Sequence, residues 1–239
     1  MGSLVYAGRD FGRYCSAQTV LRSATDVVPE TRVVPGRAGA LLLGGRLAPL
    51  TVRVRLFLEL DGRRTDAELA AIRHEMAGWL AEPGGARLKL PEEPGYELRD
   101  AVVSAGADWD RLFEDGSCEV TFVAYDPIAW GETRTYAGKT SVTVGGTWAT
   151  FPRFRLVAKA GSAVQAGVYG GAYVRVERAF AGGEVVVIDC AKDSVAVDGE
   201  DARECVTLTS DFFSLSPGPY QLAFSGVGDF TTYFTEKWV

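Results

Sequence analysis

The second half of the sequence contains no helical pattern, and this constrains the fold more than any other feature. From Phe151 onward, strand-like runs follow one another at intervals of roughly ten residues and are separated by glycine-rich turns. The runs cover residues 153–158, 172–178, 184–189, 194–197, 204–207, 220–225 and 231–238. Asp198-Gly199, between two of them, is typical of a tight hairpin. This pattern predicts a β-sandwich or jelly roll.

The first half contains a long strand that is apolar on one side. From Thr51 onward, apolar residues alternate with mostly polar ones, so that Val52 and Val54 face one way and Arg53 and Arg55 the other. The alternation predicts a half-buried strand of about ten residues, ended by the turn Asp61-Gly62. Phe57 falls on the polar side, where an apolar ring lacks a partner.

One helix is predicted directly after this strand. Thr65 and Glu68 form a capping box, in which the hydroxyl and the carboxylate each satisfy a backbone amide at the helix start. Apolar residues then recur at helical spacing, which predicts an apolar face packed on the strand. These residues are Leu69, Ile72, Met76, Trp79 and Leu80. Pro83 ends the pattern.

The remaining patterns divide the chain near residue 133. Short strands are predicted at 86–90, 97–103 and 118–125, a loop flanked by residues 108–110 and 114–115, and a connection at 133–148 that becomes a strand. We therefore expect two domains. Residues 1–133 form an α+β domain, mostly β with one helix, and residues 134–239 form an all-β sandwich.

Composition excludes several classes of protein. The chain has 25 basic and 31 acidic residues, a net charge of −6, which argues against a nucleic-acid-binding protein. Because no apolar run reaches 18 residues, we expect no transmembrane helix and no membrane partner. The N-terminus lacks the pattern of a secretory signal. We therefore expect reduced thiols at Cys15, Cys118, Cys190 and Cys205, whose spacing includes no C-x-x-C pair.

Catalytic and cofactor motifs are missing from the sequence. The single histidine, His74, falls on the predicted solvent side of the helix, away from any nucleophile. No G-x-S-x-G and no Walker A motif occurs, and the glycine-rich segment 167–171 is interpreted as a sandwich loop. We expect no catalytic residue, no cofactor-binding residue and no enzymatic activity. A glycan hydrolase would need two carboxylates at a set separation, which a sequence cannot place.

Two further signals have ordinary structural explanations. Asp193, Asp198, Glu200 and Asp201 cluster around one hairpin and could hold calcium. They lack EF-hand spacing and acidic surface loops are common, so we expect no metal-binding residue. Aromatic residues of the second half would suit a sugar-binding module if solvent-exposed, but core packing is the default. They are Trp148, Tyr169, Tyr173, Phe212, Phe213, Tyr220, Tyr233 and Trp238.

Several segments together resemble the distal tail proteins of phages with long, flexible, non-contractile tails. Each motif is weak alone, but their order and spacing match over nearly the whole chain. In the first half they are the turns at 8–12 and 35–39, the strand 50–60 with its helix ending in Trp79-Leu80, the hairpin 88–96, and the strand 118–122 leading to Asp126-Pro127 and Trp130-Gly131. In the second half they are Pro152 before a strand, the strand 184–189, and Leu215 with Pro217-Gly218 before 220–224. The chain departs from the family pattern at Ile128, usually aromatic, and at Pro219, usually asparagine.

The resemblance implies a structural hub in the virion tail tip. A first domain forms a homohexameric ring, and a second domain is a galectin-like or carbohydrate-module-like sandwich. The implied partners are the tail tube protein, the tail-tip or tail-associated protein and a receptor-binding protein. The resemblance also implies that the protein comes from a phage or a prophage and is made in the host bacterial cytoplasm. The alternative is a carbohydrate-binding accessory module of a host-adhesion apparatus, and a cell-wall hydrolase is a third interpretation.

Overall fold

The computed structural model describes residues 3–239 and contains two compact units. The first unit is Met1–Trp130 together with Val239, and the second is Gly131–Trp238. The sequence placed the division near residue 133. Within residues 3–239, no helix combines the length and the apolar character that crossing a membrane requires.

The first unit is built on an antiparallel sheet in the strand order β3-β6-β9-β8-β7-β1-β2. Two further strands, β4 and β5, pair only with each other. The elements are β1 (Val5–Tyr6), β2 (Arg9–Asp10), β3 (Cys15–Arg22), β4 (Val27–Val33), β5 (Ala40–Leu47), β6 (Leu50–Leu58), α1 (Asp66–Leu80), β7 (Ala86–Lys89), β8 (Glu97–Ala105), α2 (Trp109–Asp115) and β9 (Ser117–Ala137). The boundary between the units falls within β9, after Trp130.

The alternation of β6 is confirmed. Val52, Val54 and Leu56 are fully buried. Arg53 and Arg55 face solvent, and both pair with Glu119 on the neighbouring β9, at 3.8 and 2.5 Å. The strand ends at Leu58, two residues before the predicted end.

The capping box of α1 is also confirmed. The Thr65 hydroxyl accepts the Glu68 amide at 3.3 Å, and the Glu68 carboxylate accepts the Thr65 amide at 2.8 Å. Met76 is the fully buried residue of this helix. Trp79 is half-buried, with Phe11 edge-on at 5.2 Å and Tyr14 stacked at 5.7 Å between ring centroids.

The predicted loop between Asp110 and Glu114 is wrong, because both residues and the three between them belong to α2. Asp108 caps the helix by accepting the Arg111 amide at 3.1 Å, and Gly116 ends it in the left-handed conformation at φ +78°. The helix buries one residue, Leu112, so its sequence carries too little apolar periodicity to predict it.

The second unit contains two antiparallel sheets around one core. The sheets have the orders β16-β15-β14-β11-β18 and β10-β17-β12-β13. Their strands are β10 (Ser141–Val144), β11 (Arg153–Ala158), β12 (Gly161–Val168), β13 (Tyr173–Phe180), β14 (Val185–Asp189), β15 (Ser194–Val197), β16 (Glu200–Asp201), β17 (Gly218–Ser225) and β18 (Val227–Trp238). Phe154 and Ile188 of the first sheet share a buried cluster with Val164, Val176 and Leu222 of the second. The arrangement is a β-sandwich.

Two details of the second unit differ from the sequence-based prediction. The predicted strand 204–207 does not form, and a 3-10 turn at Arg203–Cys205 takes up its first half. Strand β12 was not predicted, because glycine, alanine and polar residues dominate it. Gly167 in β12 is required there, since a Cβ would lie 2.5 Å from the side chain of Tyr173 on β13.

Candidate functional site

The most exposed apolar feature of the first unit is the hairpin formed by β4 and β5, which we call the arm (residues 27–47). All seven residues of β4 are exposed, and so are seven of the eight in β5. The turn 35–39, one of the motifs identified in the sequence, forms its tip. Gly36 and Gly39 there have φ of +80° and +76°, a conformation that favours glycine.

The root of the arm is tied to the sheet by hydrogen bonds. The Ala48 amide donates to the Asp26 carbonyl at 2.8 Å, and the Ser23 amide donates to the Thr51 carbonyl at 3.0 Å. The Thr51 amide donates back to the Ser23 hydroxyl at 3.1 Å. These hydrogen bonds therefore hold the two ends of the arm together and join them to the start of β6.

The register of the arm divides its side chains into two chemically different faces. Because residues paired across a sheet point to the same face, one face, here called the uncharged face, carries no charge. Its residues are Val27, Pro29, Thr31, Val33, Ala40, Leu42, Gly45 and Leu47. The opposite face is mixed, with Val28, Glu30, Arg32, Leu41, Gly44 and Arg46.

The uncharged face presents large apolar side chains to water. Val27, Leu42 and Val33 are 63%, 67% and 76% exposed. A hairpin of two strands is at best marginally stable in water unless it packs against something. Contiguous exposed apolar surface commonly marks an interaction site. The arm is therefore the strongest candidate interaction surface in the first unit.

A second apolar surface of the first unit is an open groove of about 560 Å³. Its lining joins the end of α1 to strands β8 and β9 through Leu80, Ala81, Glu82, Pro83, Val102, Val103 and Tyr125. Tyr125 is 62% exposed, and Glu82 is the one charged residue in the lining. This surface is called the groove below.

Charge is distributed unevenly within the first unit. The arm contains three arginines, Arg32, Arg37 and Arg46, and one acidic residue, Glu30. The other residues up to Trp130 include twelve basic and eighteen acidic ones. The arm is thus basic and the body that carries it is acidic.

The residues considered as catalytic or metal-binding candidates do not form a common site. His74 is exposed on α1. In the acidic cluster, Asp198 accepts the Val185 amide at 2.8 Å and Asp201 accepts the Arg203 amide at 3.1 Å, so these carboxylates hold turns. Across residues 3–239, no three His, Cys, Asp or Glu side chains are grouped so as to hold a metal ion.

The four cysteines are free thiols. Burial raises the pKa of Cys15 to about 12 and the pKa of Cys118 and of Cys190 to about 11. Cys205 is the one that is partly exposed. Thiolate chemistry at neutral pH is therefore suppressed at the three buried positions.

Exposed aromatic residues of the second unit lie outside the strands. Trp148, Phe151 and Tyr169 are 41%, 44% and 75% exposed and belong to connecting segments. Phe213 and Tyr173, among the aromatics weighed as sugar platforms, are buried and half-buried. This distribution gives little support to a sugar-binding row.

The motif that ends the first unit has a clear structural role. The Asp126 carboxylate accepts the Trp130 indole N–H at 2.7 Å and the Ile128 amide at 3.2 Å. The Arg99 guanidinium lies 3.6 Å from the centre of the Trp130 ring. Gly131 is required because a Cβ there would overlap the ring of Trp238.

The chain is similar to known phage tail proteins. Residues 145–238 match the family model of the siphovirus-type tail component, C-terminal domain. The distal tail protein of Bacillus phage SPP1 is 24% identical over 251 aligned residues, which cover 99% of this chain and 96% of that protein. The resemblance to the phage distal tail protein family is confirmed.

One solved structure shows the same fold over the whole chain. The crystal structure of the SPP1 Dit protein, described as a paradigm of the hub adsorption apparatus of phages infecting Gram-positive bacteria, superposes with a TM-score of 0.78. The superposition covers 99% of both chains at 17% identity. A chain of the phage P2 baseplate superposes with a TM-score of 0.46 at 7% identity, covering 92% of this chain and 90% of that one. The match to the family model and to the SPP1 distal tail protein supports a distal tail component of a phage virion, a structural part of the tail.

Proposed function

We propose that this distal tail family member forms a homohexameric ring that joins the tail tube to the tip or baseplate proteins. The ring is built by the first domain, residues 1–133. The second domain, residues 134–239, is a galectin-like sandwich at its periphery. The protein is made in the host bacterial cytoplasm and has a structural role without enzymatic activity. Its partners are the tail tube protein, a tail-associated protein and a receptor-binding protein.

The exposed apolar surface of the arm is the main support for this proposal. The arm holds most of the strongly exposed aliphatic side chains of residues 3–239, and it belongs to the unit assigned to the ring. A tail hub has to bind copies of itself and at least two other proteins. A protein with several neighbours needs apolar surface that stays exposed in the single chain, because interface cores are largely apolar.

The experiment is to purify the full chain, measure its mass by light scattering at high concentration, and image it by negative-stain electron microscopy. We expect a mass six times the 25.7 kDa of the chain and a ring with a central opening. Added tail tube protein is expected to bind one face of this ring. A protein that stays monomeric at high concentration and in the presence of the tube protein would contradict the proposal.

A further inference from the structure

We infer that the uncharged face of the arm packs in the groove of a neighbouring copy of the same chain. This inference rests on the proposed ring and names the contact that closes it. The arm is one surface of the first unit and the groove is another, so the contact is head-to-tail. Head-to-tail contacts close into rings when the rotation between copies allows it.

The two surfaces match in polarity. The uncharged face of the arm presents Val27, Val33 and Leu42, and the groove offers Leu80, Val103 and Tyr125. Packing one on the other removes apolar area from water on both sides, at roughly 25 cal/mol per Å². It leaves the mixed face of the arm, with its charges, in contact with solvent.

The two surfaces also match in charge. The arm carries two more positive than negative charges, and the rest of the unit carries six more negative than positive ones. Glu82 lies in the lining of the groove, and Arg37 at the tip of the arm belongs to neither face. Arg37 is therefore the arginine that can approach Glu82 while the mixed face stays in solvent. Attraction between a basic arm and an acidic body favours another copy of this unit as the occupant.

The area of the arm explains why a ring is needed. A strand of eight residues is about 27 Å long, so one face of a two-stranded hairpin covers roughly 300 Å². A stable interface buries about 800 Å² on each partner. One arm therefore supplies a minor part of such an interface. The contact is weak in a pair of copies and strong when every copy of a closed ring makes it twice.

Cysteine cross-linking between two different variants tests the contact. Leu42→Cys on the uncharged face and Tyr125→Cys in the groove are each made with Cys205→Ser, because the three other native thiols are buried. The two proteins are mixed and oxidised at high concentration, so any disulfide between positions 42 and 125 joins two chains. Leu41→Cys is the matched control, since Leu41 is the adjacent residue on the opposite face.

We expect a cross-linked dimer from the Leu42→Cys mixture and about tenfold less of it from the Leu41→Cys mixture, the ratio that 1.4 kcal/mol of selective contact gives. Equal cross-linking of both mixtures overturns the inference. Rings seen by microscopy without the 42–125 cross-link overturn the inference and leave the proposed ring intact. A chain that neither cross-links nor forms rings overturns both.

Discussion

At the scale of single residues, Glu92 accepts hydrogen bonds from β3, the strand that precedes the arm. Its carboxylate accepts the Thr19 amide at 2.8 Å and the Thr19 hydroxyl at 2.6 Å. Burial acts to raise the pKa of Glu92, but the hydrogen bonds from Thr19 outweigh burial and hold the pKa below its ordinary value of 4.5. The ionised form therefore stabilises the folded chain, fully above pH 4.5 and less as the pH falls through the lowered pKa.

We predict that Glu92→Gln lowers the free energy of unfolding by about 1 kcal/mol at neutral pH, because the amide group cannot accept both hydrogen bonds. The deficit should shrink in acid, where the native carboxylate is itself protonated. Urea denaturation of both proteins at neutral and at acidic pH measures the difference. Glu114→Gln, an exposed position on α2, serves as the control and should change stability little. A deficit that stays constant across this pH range would contradict the assignment.

The thiols give a second test at the residue scale. We predict that one cysteine, Cys205, reacts readily with a thiol reagent in the native protein and that all four react after denaturation. Burial and raised pKa values protect the other three, since the thiolate is the reacting form. Titration with a chromogenic disulfide reagent counts both groups. Finding fewer than four thiols in denaturant would indicate a disulfide.

At the scale of elements, the arm is a case in which the sequence pattern does not predict whether a strand face is buried. The alternation that places Val52 and Val54 in the core of β6 also occurs in the second half of β4, where Thr31 and Val33 alternate with Glu30 and Arg32. Alternation indicates that one face of a strand is apolar. It does not indicate whether the same chain or a partner chain covers that face. The capping box of α1 could be predicted because all its atoms come from four consecutive residues. The groove could not, since Leu80 and Tyr125 meet only after the sheet has formed.

The arm itself gives a prediction at this scale. We expect replacement of residues 27–47 by Asn-Gly to leave the thermal unfolding of the chain nearly unchanged while it abolishes assembly. Asp26 and Ala48 are already hydrogen-bonded to each other, and a two-residue turn can join such a pair. Circular dichroism melting and light scattering measure the two effects. Loss of the folded structure would show that the arm stabilises its own chain, and retained assembly would show that it is not an interface.

At the scale of the whole molecule, the two units differ in what they leave exposed. The second unit buries a cluster of twenty residues that come entirely from its own sheets and connections, among them Phe154, Ile188 and Phe234. Its short strands and glycine turns allowed the sandwich to be predicted from sequence, because local hairpins such as β14–β15 and β15–β16 join strands that are adjacent in a sheet. The first unit has its own buried residues and, in addition, the exposed arm and groove.

We therefore predict that residues 131–239, expressed alone, fold cooperatively and remain monomeric. The complete core of that unit is present in such a fragment, and a domain of about 100 residues is large enough to fold by itself. The arm and the groove are missing from it, so the contact proposed to close the ring cannot form. The measurements are thermal unfolding and light scattering of the fragment beside the full chain, at equal molar concentration. The full chain serves as the control, and it should assemble where the fragment does not. A fragment that closes into a ring by itself would reverse the assignment of the two units and place the ring contacts in the sandwich.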